Sequence, residues 1–598
     1  MPLSIRARRR TAPGRRGARI LAAAFALTAA ALAGAGADVA ATAGPAAAES
    51  NGLGATPLLG WSSWSFIGND PTAAKIDAQA DAMKSSGLGS VGFDYINVDD
   101  YYYLCNSTGP EVDANGLWIP DPAQFPAGGS TPGFEAVANH VHADGFKFGM
   151  YVTPGIPQNA VTAKSKIKGT DDTANEIATT ASEHNYNCGH MVGIDYSRAG
   201  AQAYIDSWAD ELASWGVDYV KLDGVGTSDV ADIQAWSAAL KQTGRPMWLE
   251  LSNDLPIADA TTWSSLANGW RTNGDVECYC WTGGVKTSGT VRYPLTEWSK
   301  VETRFSTAAN WAQYAGPGGW NDFDSLELGN GTNDGLTVPE RQSTMTLWSM
   351  GASPLVLGTD LTNLDATDLA MLENKAVLSV DQDAIAAKRI ADSGNGQVFS
   401  KKEKSGDTVI ALFNTSDSAT TTVSVPLSAA GISGSVTATD LWTGASTGTI
   451  SGTYSVSLGP GAVKLIRTGA SSSATTIAAS ASGNTLAGAA KVVSCAGCAT
   501  GKKVGDIGDG AANYVTINAV PAGKTGSTAV TVSYLLDGSR SFSVSVDGGA
   551  ATTLNLTGTS WSTPATATVS LTLNAGANTL RFFNDSAYAP DLDSVTVG

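Results

Sequence analysis

Acidic side chains recur at the ends of short apolar runs in the first two thirds of the chain, with basic and aromatic side chains close by in the sequence. Carboxylates accept hydrogen bonds from sugar hydroxyls, and aromatic faces cover the apolar C–H face of a sugar ring. The combination is therefore typical of a pocket for a polyhydroxyl ligand. The residues concerned are Asp99, Asp100, Asp223, Glu250, Asp275, Asp322 and Asp324, together with Lys221, Arg271, Trp64 and Tyr151.

These residue types favour one class of reaction. The chain has only four His, and none is placed to serve a Ser–His–Asp triad or a metal cluster. We also find no glycine-rich phosphate loop or dinucleotide fingerprint. A pair of opposed carboxylates is then the simplest catalytic arrangement that these residues allow. Glycoside hydrolysis uses such a pair without metal or other cofactor. The alternative interpretation makes the Asp residues caps or turn residues, and Trp64 and Tyr151 core aromatics.

To converge on one pocket, these side chains must lie on elements whose ends meet. Residues 52–380 predict such elements, because eight apolar runs alternate with segments of helical period. This pattern predicts an α/β fold, the (β/α)8 TIM barrel, in which functional groups lie at the carboxyl ends of the strands. The apolar runs are 58–60, 95–98, 146–152, 217–222, 247–251, 269–272, 319–321 and 354–358.

The sequence pattern changes after the predicted barrel. Residues 381–468 contain short alternating strands separated by Gly, Ser and Asp, which predicts an antiparallel β-sandwich. Residues 469–476 are rich in Ser, Ala and Thr and predict a linker. Residues 477–598 alternate again and predict a second, jelly-roll-like β-sandwich. The chain is therefore expected to be a multidomain protein.

Composition and charge exclude several classes of partner. The 598 residues are 43% hydrophobic and 15% charged, which indicates a globular protein of more than one folded unit. The net charge of −18 repels phosphate backbones and anionic lipid, so neither nucleic acid nor a membrane is an expected partner. A neutral oligosaccharide or polysaccharide fits this charge better. The sequence does not indicate an oligomeric state.

The amino-terminal residues predict export. Residues 1–48 carry seven Arg, then an Ala/Leu run at 20–33, then small residues, an order typical of a cleaved secretory signal peptide. The run is shorter than the roughly 20 residues of a membrane-spanning helix. Secretion would permit disulfides. We expect local disulfides in the C-x-C of Cys278 and Cys280 and the C-A-G-C of Cys495 and Cys498, with zinc ligation as the alternative and the pairing left open. The cysteines are Cys105, Cys188, Cys278, Cys280, Cys495 and Cys498.

Nine motifs resemble glycoside hydrolase family 27, a family of α-galactosidases, α-N-acetylgalactosaminidases, β-L-arabinopyranosidases and isomalto-dextranases. They follow the family order and extend the resemblance over about residues 56 to 468. The motifs are T-P-L-L-G-W-S-S-W (56–64), Y-I-N-V-D-D (95–100), F-K-F-G-M-Y (146–151), W-G-V-D-Y-V-K-L-D-G (215–224), W-R-T-N-G-D (270–275), P-G-G-W-N-D-F-D (317–324), S-V-D-Q-D (379–383), A-L-F-N (411–414) and D-L-W-T-G (440–444).

The resemblance implies a retaining double displacement with Asp223 as nucleophile and Asp275 as acid/base. Lys221 and Asp223 are two apart on one strand and therefore face the same way, so the cation keeps the carboxylate ionised. Asp275 must begin protonated, and we expect burial and the charge of Asp223 to raise its pKa. Because Arg271 would oppose that rise, we expect it to face the sugar or the nucleophile instead.

The resemblance also implies which residues bind the terminal sugar. Asp99 and Asp100 match the pair that holds the 4- and 6-hydroxyls of galactose. The stretch that reads the 2-substituent in the family is replaced here by residues 249–253, and either Glu250 or Ser252 could take its role. The family cysteine just after the nucleophile is absent, since this stretch reads Gly224-Val225 here. The implied sugar-binding residues are Trp64, Asp99, Asp100, Tyr151, Lys221, Glu250, Ser252 and Arg271.

We therefore expect a secreted exo-acting α-galactosidase that releases terminal α-D-galactose. The other three activities of the family remain alternatives, because each differs from galactoside cleavage by one substituent or configuration of the sugar. A non-catalytic glycan-binding protein is an alternative from a different functional class.

Residues 477–598 resemble a family 35 carbohydrate-binding module. The motifs are C-A-G-C-A-T-G-K-K-V-G (495–505), N-T-L-R-F-F-N (578–584) and P-D-L-D-S-V (590–595). The resemblance implies sugar contacts at Trp561, Asn584 and Tyr588. The Glu-x-Glu pair that helps such modules hold calcium is absent at residues 478–480, so we expect no metal there.

Overall fold

The computed structural model describes residues 51–281, 292–469, 475–522 and 525–597. The predicted signal peptide at 1–48 lies outside the described residues, as does most of the predicted linker at 469–476. No helix within the described ranges is long and apolar enough to cross a membrane.

Eight parallel strands form the central sheet of the first part of the chain. Their order along the sheet is β7-β6-β5-β4-β3-β2-β1-β8. A parallel bridge between Leu326, just after β7, and Leu357 in β8 joins the two edges, so the sheet curls into a barrel. The strands are β1 (Leu59–Ser62), β2 (Tyr95–Val98), β3 (Lys147–Val152), β4 (Tyr219–Asp223), β5 (Trp248–Ser252), β6 (Gly269–Arg271), β7 (Trp320–Asp322) and β8 (Leu355–Leu357).

Helices follow each barrel strand. Local signals fix several of their ends: the Thr72 hydroxyl accepts from the Lys75 backbone N–H at the start of α1, and Thr337 and Glu340 form a capping box at α7. Gly87 ends α1 at φ 94°, a left-handed conformation that favours glycine. The α-helices of seven or more residues are α1 (Ala73–Ser86), α2 (Gly133–Ala143), α3 (Ala199–Ser214), α4 (Val230–Gln242), α5 (Ala260–Leu266), α6 (Trp298–Trp311), α7 (Val338–Gly351), α8 (Ala366–Leu372) and α9 (Lys375–Gln382).

The segment between β3 and α3 forms a small antiparallel sheet of its own. Strand Met191–Ile194 lies in the centre of this sheet, between Ile156–Pro157 and Ala178–Glu183. A disulfide joins Cys188 in this segment to Cys105 in the loop after β2. The bridge spans 83 residues of sequence, a pairing that the sequence left open.

Two further strand groups follow the barrel. A six-stranded antiparallel sheet has the order β9-β10-β11-β16-β13-β14, and β12 pairs with β15 beside it. The Trp298 indole on α6 donates to the Thr415 carbonyl at 2.8 Å, so this unit packs on the barrel helices. The strands are β9 (Lys388–Asp392), β10 (Gly396–Lys402), β11 (Thr408–Asn414), β12 (Thr421–Pro426), β13 (Ser435–Asp440), β14 (Ser446–Ser451), β15 (Thr453–Leu458) and β16 (Val463–Thr468).

The last part of the chain forms a nine-stranded antiparallel sheet with its own hydrophobic core. Two long strands, β22 and β23, pair along most of their length. A disulfide closes the Cys495–Cys498 turn. The strands are β17 (Thr475–Ala478), β18 (Thr485–Ala487), β19 (Lys491–Ser494), β20 (Lys502–Gly505), β21 (Tyr514–Ala522), β22 (Gly526–Val546), β23 (Ala551–Leu573), β24 (Gly576–Phe583) and β25 (Asp591–Val597).

The structure confirms the predicted barrel and the antiparallel sheets that follow it. Each of the eight apolar runs contains or overlaps a barrel strand. Strand β17 begins at Thr475, inside the stretch predicted as linker. The domain boundaries remain predictions.

Candidate active site

A cavity of about 370 Å³ opens at the carboxyl ends of the barrel strands. Its wall combines carboxylates, two cations and aromatic rings, which is the composition that a polyhydroxyl ligand needs. Most of the predicted site residues meet here. The predicted residues in its lining are Trp64, Asp99, Asp100, Lys221, Asp223, Glu250, Ser252, Arg271 and Asp275.

Strand geometry explains why β4 and β5 contribute two residues each. Side chains two apart on a strand share a face, so Lys221 and Asp223 both point into the cavity, as do Glu250 and Ser252. The register pairs Lys221 with Glu250 and Asp223 with Ser252, so the four side chains form two adjacent rows.

The Lys221 ammonium is nearly enclosed and bonds across the cavity. Its Nζ donates to Asp99 Oδ2 at 2.9 Å. The charges of Asp99 and Asp223 raise the pKa of Lys221, although burial opposes them. A permanent positive charge therefore lies between the end of β2 and the end of β4.

Asp100 is buried at the cavity floor, and its environment disfavours ionisation. Burial is the largest cause that raises its pKa to about 7, with the neighbouring Asp99 adding to the rise and the Tyr101 backbone N–H opposing it. Asp100 Oδ2 has no hydrogen-bond partner among the described residues. This oxygen has almost no accessible surface, so a ligand hydroxyl could bond to it only after the side chains around it move.

Arg271 does not take the position expected from the sequence. Its Nη2 donates to Asp275 Oδ1 at 3.0 Å, and its Nη1 lies 2.9 Å from Asp324 Oδ1. The guanidinium therefore points at the proposed acid/base and not at the nucleophile, while Arg271 still lines the cavity that would hold the sugar. The reason is local: Asp275 lies four residues after Arg271, within reach of the guanidinium, and Asp324 follows the adjacent strand β7.

The surroundings of Asp275 also do not raise its pKa as the sequence led us to expect. Burial raises its pKa, but the charge of Arg271, the Tyr279 hydrogen bond and the charge of Lys221 outweigh burial and lower the pKa to about 2. With these contacts Asp275 is ionised near neutral pH. For Asp275 to act as a general acid, its pKa must rise when substrate binds, so that the carboxyl group takes up a proton.

Tyr279 was not predicted from the sequence, yet it touches this carboxyl group. Its hydroxyl donates to Asp275 Oδ2 at 2.5 Å and accepts from Trp64 Nε1 at 3.0 Å. Tyr279 has φ 50° and lies between Cys278 and Cys280, which form a disulfide. The C-x-C spacing was visible in the sequence, but nothing in it indicated that the middle residue points into the cavity.

Three carboxylates lie around Arg271. Oxygens of Asp275, Glu277 and Asp324 lie within 4.8 Å of one another, a spacing that could hold a cation. The guanidinium contacts two of them, so a side chain supplies the positive charge there. Burial raises the pKa of Glu277 to about 8, with the charges of Asp324 and Asp275 adding to the rise.

Glu250 and Ser252 both line the cavity, so the structure leaves both available to a ligand. Glu250 Oε2 accepts from the Trp248 indole at 2.9 Å, while Oε1 has no partner among the described residues. Burial, with the charge of Asp322 adding to it, raises the pKa of Glu250 well above its usual value.

Tyr151 is the one predicted barrel residue that is not part of the cavity wall. Its side chain is 1% exposed, beneath the floor, with its ring 5.6 Å from Lys221 Nζ. Its hydroxyl has no hydrogen-bond partner among the described residues.

The segment after β3 adds a residue that the sequence did not single out. Tyr186 lines the cavity, and the Asn253 amide donates to its hydroxyl. Gly224, directly after the proposed nucleophile, makes room for this segment. A Cβ on Gly224 would lie 2.7 Å from His184 Cβ and 3.4 Å from Tyr186 Cε2.

The three residues predicted in the carboxyl-terminal sheet have different environments. Trp561 is 37% exposed and Tyr588 is 50% exposed. The Arg540 guanidinium lies 4.7 Å from the Trp561 ring and 5.9 Å from the Tyr588 ring, so the two aromatics flank one cation. Asn584 instead bonds within the protein: its amide donates to the Ser541 carbonyl, and its Oδ1 accepts from backbone N–H groups of the following turn.

Comparisons with known proteins agree with this architecture. The family described as Alpha galactosidase A matches residues 57–183 and 184–383, and the Alpha galactosidase C-terminal beta sandwich domain matches residues 393–468. An alpha-galactosidase of Cyamopsis tetragonoloba is 30% identical over 69% of this chain and 86% of its own length. Alpha-galactosidase A of Cellvibrio japonicus is 30% identical over 61% of this chain and 78% of its own length.

Solved structures show the same similarity. A GH27 β-L-arabinopyranosidase from Geobacillus stearothermophilus superimposes with a TM-score of 0.62 at 30% identity, over 70% of this chain and 97% of that one. Alpha-galactosidase I from Mortierella vinacea superimposes with a TM-score of 0.55 at 27% identity, over 70% of this chain and 98% of that one.

Proposed function

Because the chain belongs to glycoside hydrolase family 27 and is a glycoside hydrolase, we propose that it is a secreted, retaining, exo-acting α-galactosidase. Its substrates are oligosaccharides or polysaccharides that end in α-D-galactose. The observation that carries the proposal is the presence of Asp223 and Asp275 in one cavity whose floor holds the Asp99–Asp100 pair.

The reaction proceeds in two displacements. The Asp223 carboxylate attacks the anomeric carbon, and the bond to the leaving-group oxygen breaks as Asp275 protonates that oxygen. Water then attacks the glycosyl–Asp223 ester, and Asp275 takes its proton. The sugar leaves with the anomeric configuration of the substrate. No cofactor is required, because every proton comes from Asp275 or water.

Substrate binding must first raise the pKa of Asp275. A sugar that fills the cavity excludes water around the carboxyl group, and the leaving-group oxygen competes with the Tyr279 hydroxyl for Oδ2. Both changes favour the protonated form. The Asp99–Asp100 pair and Lys221 hold the 4- and 6-hydroxyls, Arg271 and Trp64 border the ring, and Glu250 or Ser252 reads the 2-position.

A β-L-arabinopyranosidase is the second candidate, since a solved relative at 30% identity has that activity. Its substrate is galactose without the 6-hydroxymethyl group, so the space beside Asp99 would decide between the two. α-N-Acetylgalactosaminidase would need space at the 2-position, and isomalto-dextranase would need a pocket for an equatorial 4-hydroxyl. A non-catalytic glycan-binding protein would leave Asp223 and Asp275 without a use.

Initial rates on p-nitrophenyl α-D-galactopyranoside and p-nitrophenyl β-L-arabinopyranoside, measured side by side, test the choice of sugar. Faster galactoside cleavage supports the proposal, and faster arabinoside cleavage replaces the sugar but keeps the mechanism. If the protein cleaves neither glycoside, the corresponding N-acetylgalactosaminide and an isomaltosyl substrate are assayed next.

Chemical rescue tests the mechanism. Asp223→Ala should lower turnover by more than about 10³-fold, and azide should restore it with a product of inverted configuration. Asp275→Ala with azide should give the retained configuration, because the nucleophile is still present. Full turnover of Asp223→Ala without azide would contradict the mechanism.

The remaining parts of the chain complete the proposal. Residues 1–48 act as the cleaved signal peptide, 52–380 form the catalytic domain, 381–468 form the β-sandwich, and 469–476 form the linker. Residues 477–598 act as a jelly-roll-like, family 35-like carbohydrate-binding module that keeps the enzyme on polysaccharide. The flanking of Arg540 by Trp561 and Tyr588 supports a sugar-binding surface on this module.

A further inference from the structure

Tyr186 is an exposed aromatic side chain at the mouth of the active-site cavity. It is 53% exposed, yet it lines the same cavity as Asp223 and Asp275. Tyr186 therefore shares the cavity wall with both groups that act on the scissile bond. A large exposed ring in this position offers an apolar surface just outside the sugar pocket.

The ring is held in place from several sides. It stacks on His184 with ring centroids 5.9 Å apart and planes 19° apart. The Asn253 amide donates to its hydroxyl, and Asn253 itself has φ 138°, a strained value for a residue other than glycine. Two residues later, Cys188 is joined to Cys105. A ring fixed in this way loses little conformational entropy when a ligand packs on it.

The position of the ring indicates which part of the substrate it would contact. The terminal sugar occupies the interior, among the carboxylates and Lys221, where hydroxyls find hydrogen-bond partners. The leaving group lies beyond the scissile bond, between the catalytic pair and solvent. An exposed aromatic face there can pack against the C–H face of another sugar ring. It carries no charge, so it does not favour an ionic leaving group.

We propose that Tyr186, presented by the disulfide-tied segment after β3, stacks on the first sugar ring of the leaving group and makes the enzyme prefer oligosaccharides over glycosides with small leaving groups. Tyr186 is thereby a specificity-determining residue. The inference rests on the proposed glycosidase function and deepens it, because the same Asp223 and Asp275 cleave both kinds of substrate.

The test compares two substrates that share a glycone and differ only in the leaving group. One is α-D-galactosyl fluoride, whose leaving group has no ring, and the other is the α-1,6-linked galactosyl-glucose disaccharide. In Tyr186→Ala, the ratio of kcat/KM for the disaccharide to kcat/KM for the fluoride should fall about tenfold, the upper end of what an aromatic contact contributes. Tyr186→Phe, which keeps the ring, should hold the ratio within about twofold.

Two controls separate this effect from damage to the protein. Ile257→Ala removes another exposed apolar side chain from the loop after β5, outside the cavity wall, and should not change the ratio. Thermal unfolding should show that Tyr186→Ala folds. An equal loss on both substrates would overturn the inference, since Tyr186 would then act on the glycone, and an equal loss in the Phe variant would assign the effect to the hydroxyl.

Failure of the proposed sugar specificity gives a different result. If the unmodified protein cleaves the β-L-arabinopyranosyl fluoride faster than the galactosyl fluoride, the glycone is wrong, and the same ratio is measured with arabinopyranosyl substrates. An unchanged ratio in Tyr186→Ala overturns the inference with either glycone.

Discussion

The Tyr279 hydroxyl donates a 2.5 Å hydrogen bond to Oδ2 of Asp275, the oxygen opposite the one bonded by Arg271. Both oxygens of the proposed acid/base therefore accept a hydrogen bond from the protein itself. The leaving-group oxygen needs one of them, and displacement of a neutral hydroxyl costs less than displacement of a guanidinium. Tyr279 is the group that substrate is expected to displace.

Removal of this hydroxyl should shift the pH profile. A hydrogen bond to the ionised form lowers the pKa of Asp275, so Tyr279→Phe raises it. Because Asp275 must be protonated to act as the acid, the alkaline limb of kcat/KM against pH should move to higher pH by about one unit. The control is Tyr196→Phe, which removes a hydroxyl bonded to the carboxylate of Asp232 at 2.8 Å, outside the cavity wall. A limb that moves to lower pH, or moves equally in the control, would contradict this role.

Loss of the Cys278–Cys280 disulfide, whose two cysteines flank Tyr279, should shift the same alkaline limb of kcat/KM against pH. Cys278 and Cys280 hold Tyr279 in a left-handed backbone conformation that tyrosine seldom adopts. Replacement of both cysteines with serine should free the segment, weaken the contact with Asp275 and move the limb in the same direction as Tyr279→Phe. The matched control replaces Cys495 and Cys498, the short-range disulfide of the carboxyl-terminal sheet, which should leave the profile unchanged. Identical profiles for both double variants would mean that the disulfide does not position Tyr279.

Asp100 makes stability depend on pH. Its pKa is about 7 in the folded protein against 3.8 as the usual value, so the folded state binds this proton more tightly than the unfolded state. The corresponding stabilisation is present below about pH 4 and is lost as the pH rises to about 7. Asp100→Asn should therefore raise the free energy of unfolding at pH 8, by about 4 kcal/mol at most, and change it little at pH 4.

Denaturant unfolding at the two pH values measures this difference. The control is Asp417→Asn, at an exposed position outside the cavity wall, which should not reproduce the rise at pH 8. Activity of Asp100→Asn should fall, because the carboxyl group is proposed to hold substrate hydroxyls. A variant that is less stable than the unmodified protein at pH 8 would contradict the burial argument.

The exposed aromatic side chains of the carboxyl-terminal sheet should contribute to binding of polymeric substrate but not to hydrolysis of small substrates. Replacement of both Trp561 and Tyr588 with alanine should lower the fraction of enzyme retained on insoluble galactomannan by at least about threefold, through loss of aromatic contacts with sugar rings. Hydrolysis of a nitrophenyl glycoside should not change, because the barrel is untouched. Val492→Ala, also on an exposed strand of this sheet, is the control. Equal retention of the unmodified protein, the double variant and Val492→Ala would show that Trp561 and Tyr588 do not contribute to binding of the polymer.

The sequence by itself determined the barrel and most of the candidate pocket. Apolar runs of strand length that alternate with helical segments predict the β/α repeat, because burial of a parallel sheet requires that pattern. Residues at the ends of those runs, such as Asp100 and Asp223, must then meet at one rim. Two-residue periodicity also brought Lys221 and Asp223 to the same face.

Only the tertiary structure decided the contacts between loops. Tyr279 and Tyr186 reach the cavity on segments whose course depends on disulfides and on contacts such as that of Asn253 with Tyr186, and no periodicity encodes these. The sequence also did not predict which carboxylates Arg271 contacts, because a long side chain can reach several neighbours and only the folded structure selects among them. The protonation state of Asp275 depended on that choice, since the pKa of a carboxyl group is set by the charges and hydrogen bonds around it in space.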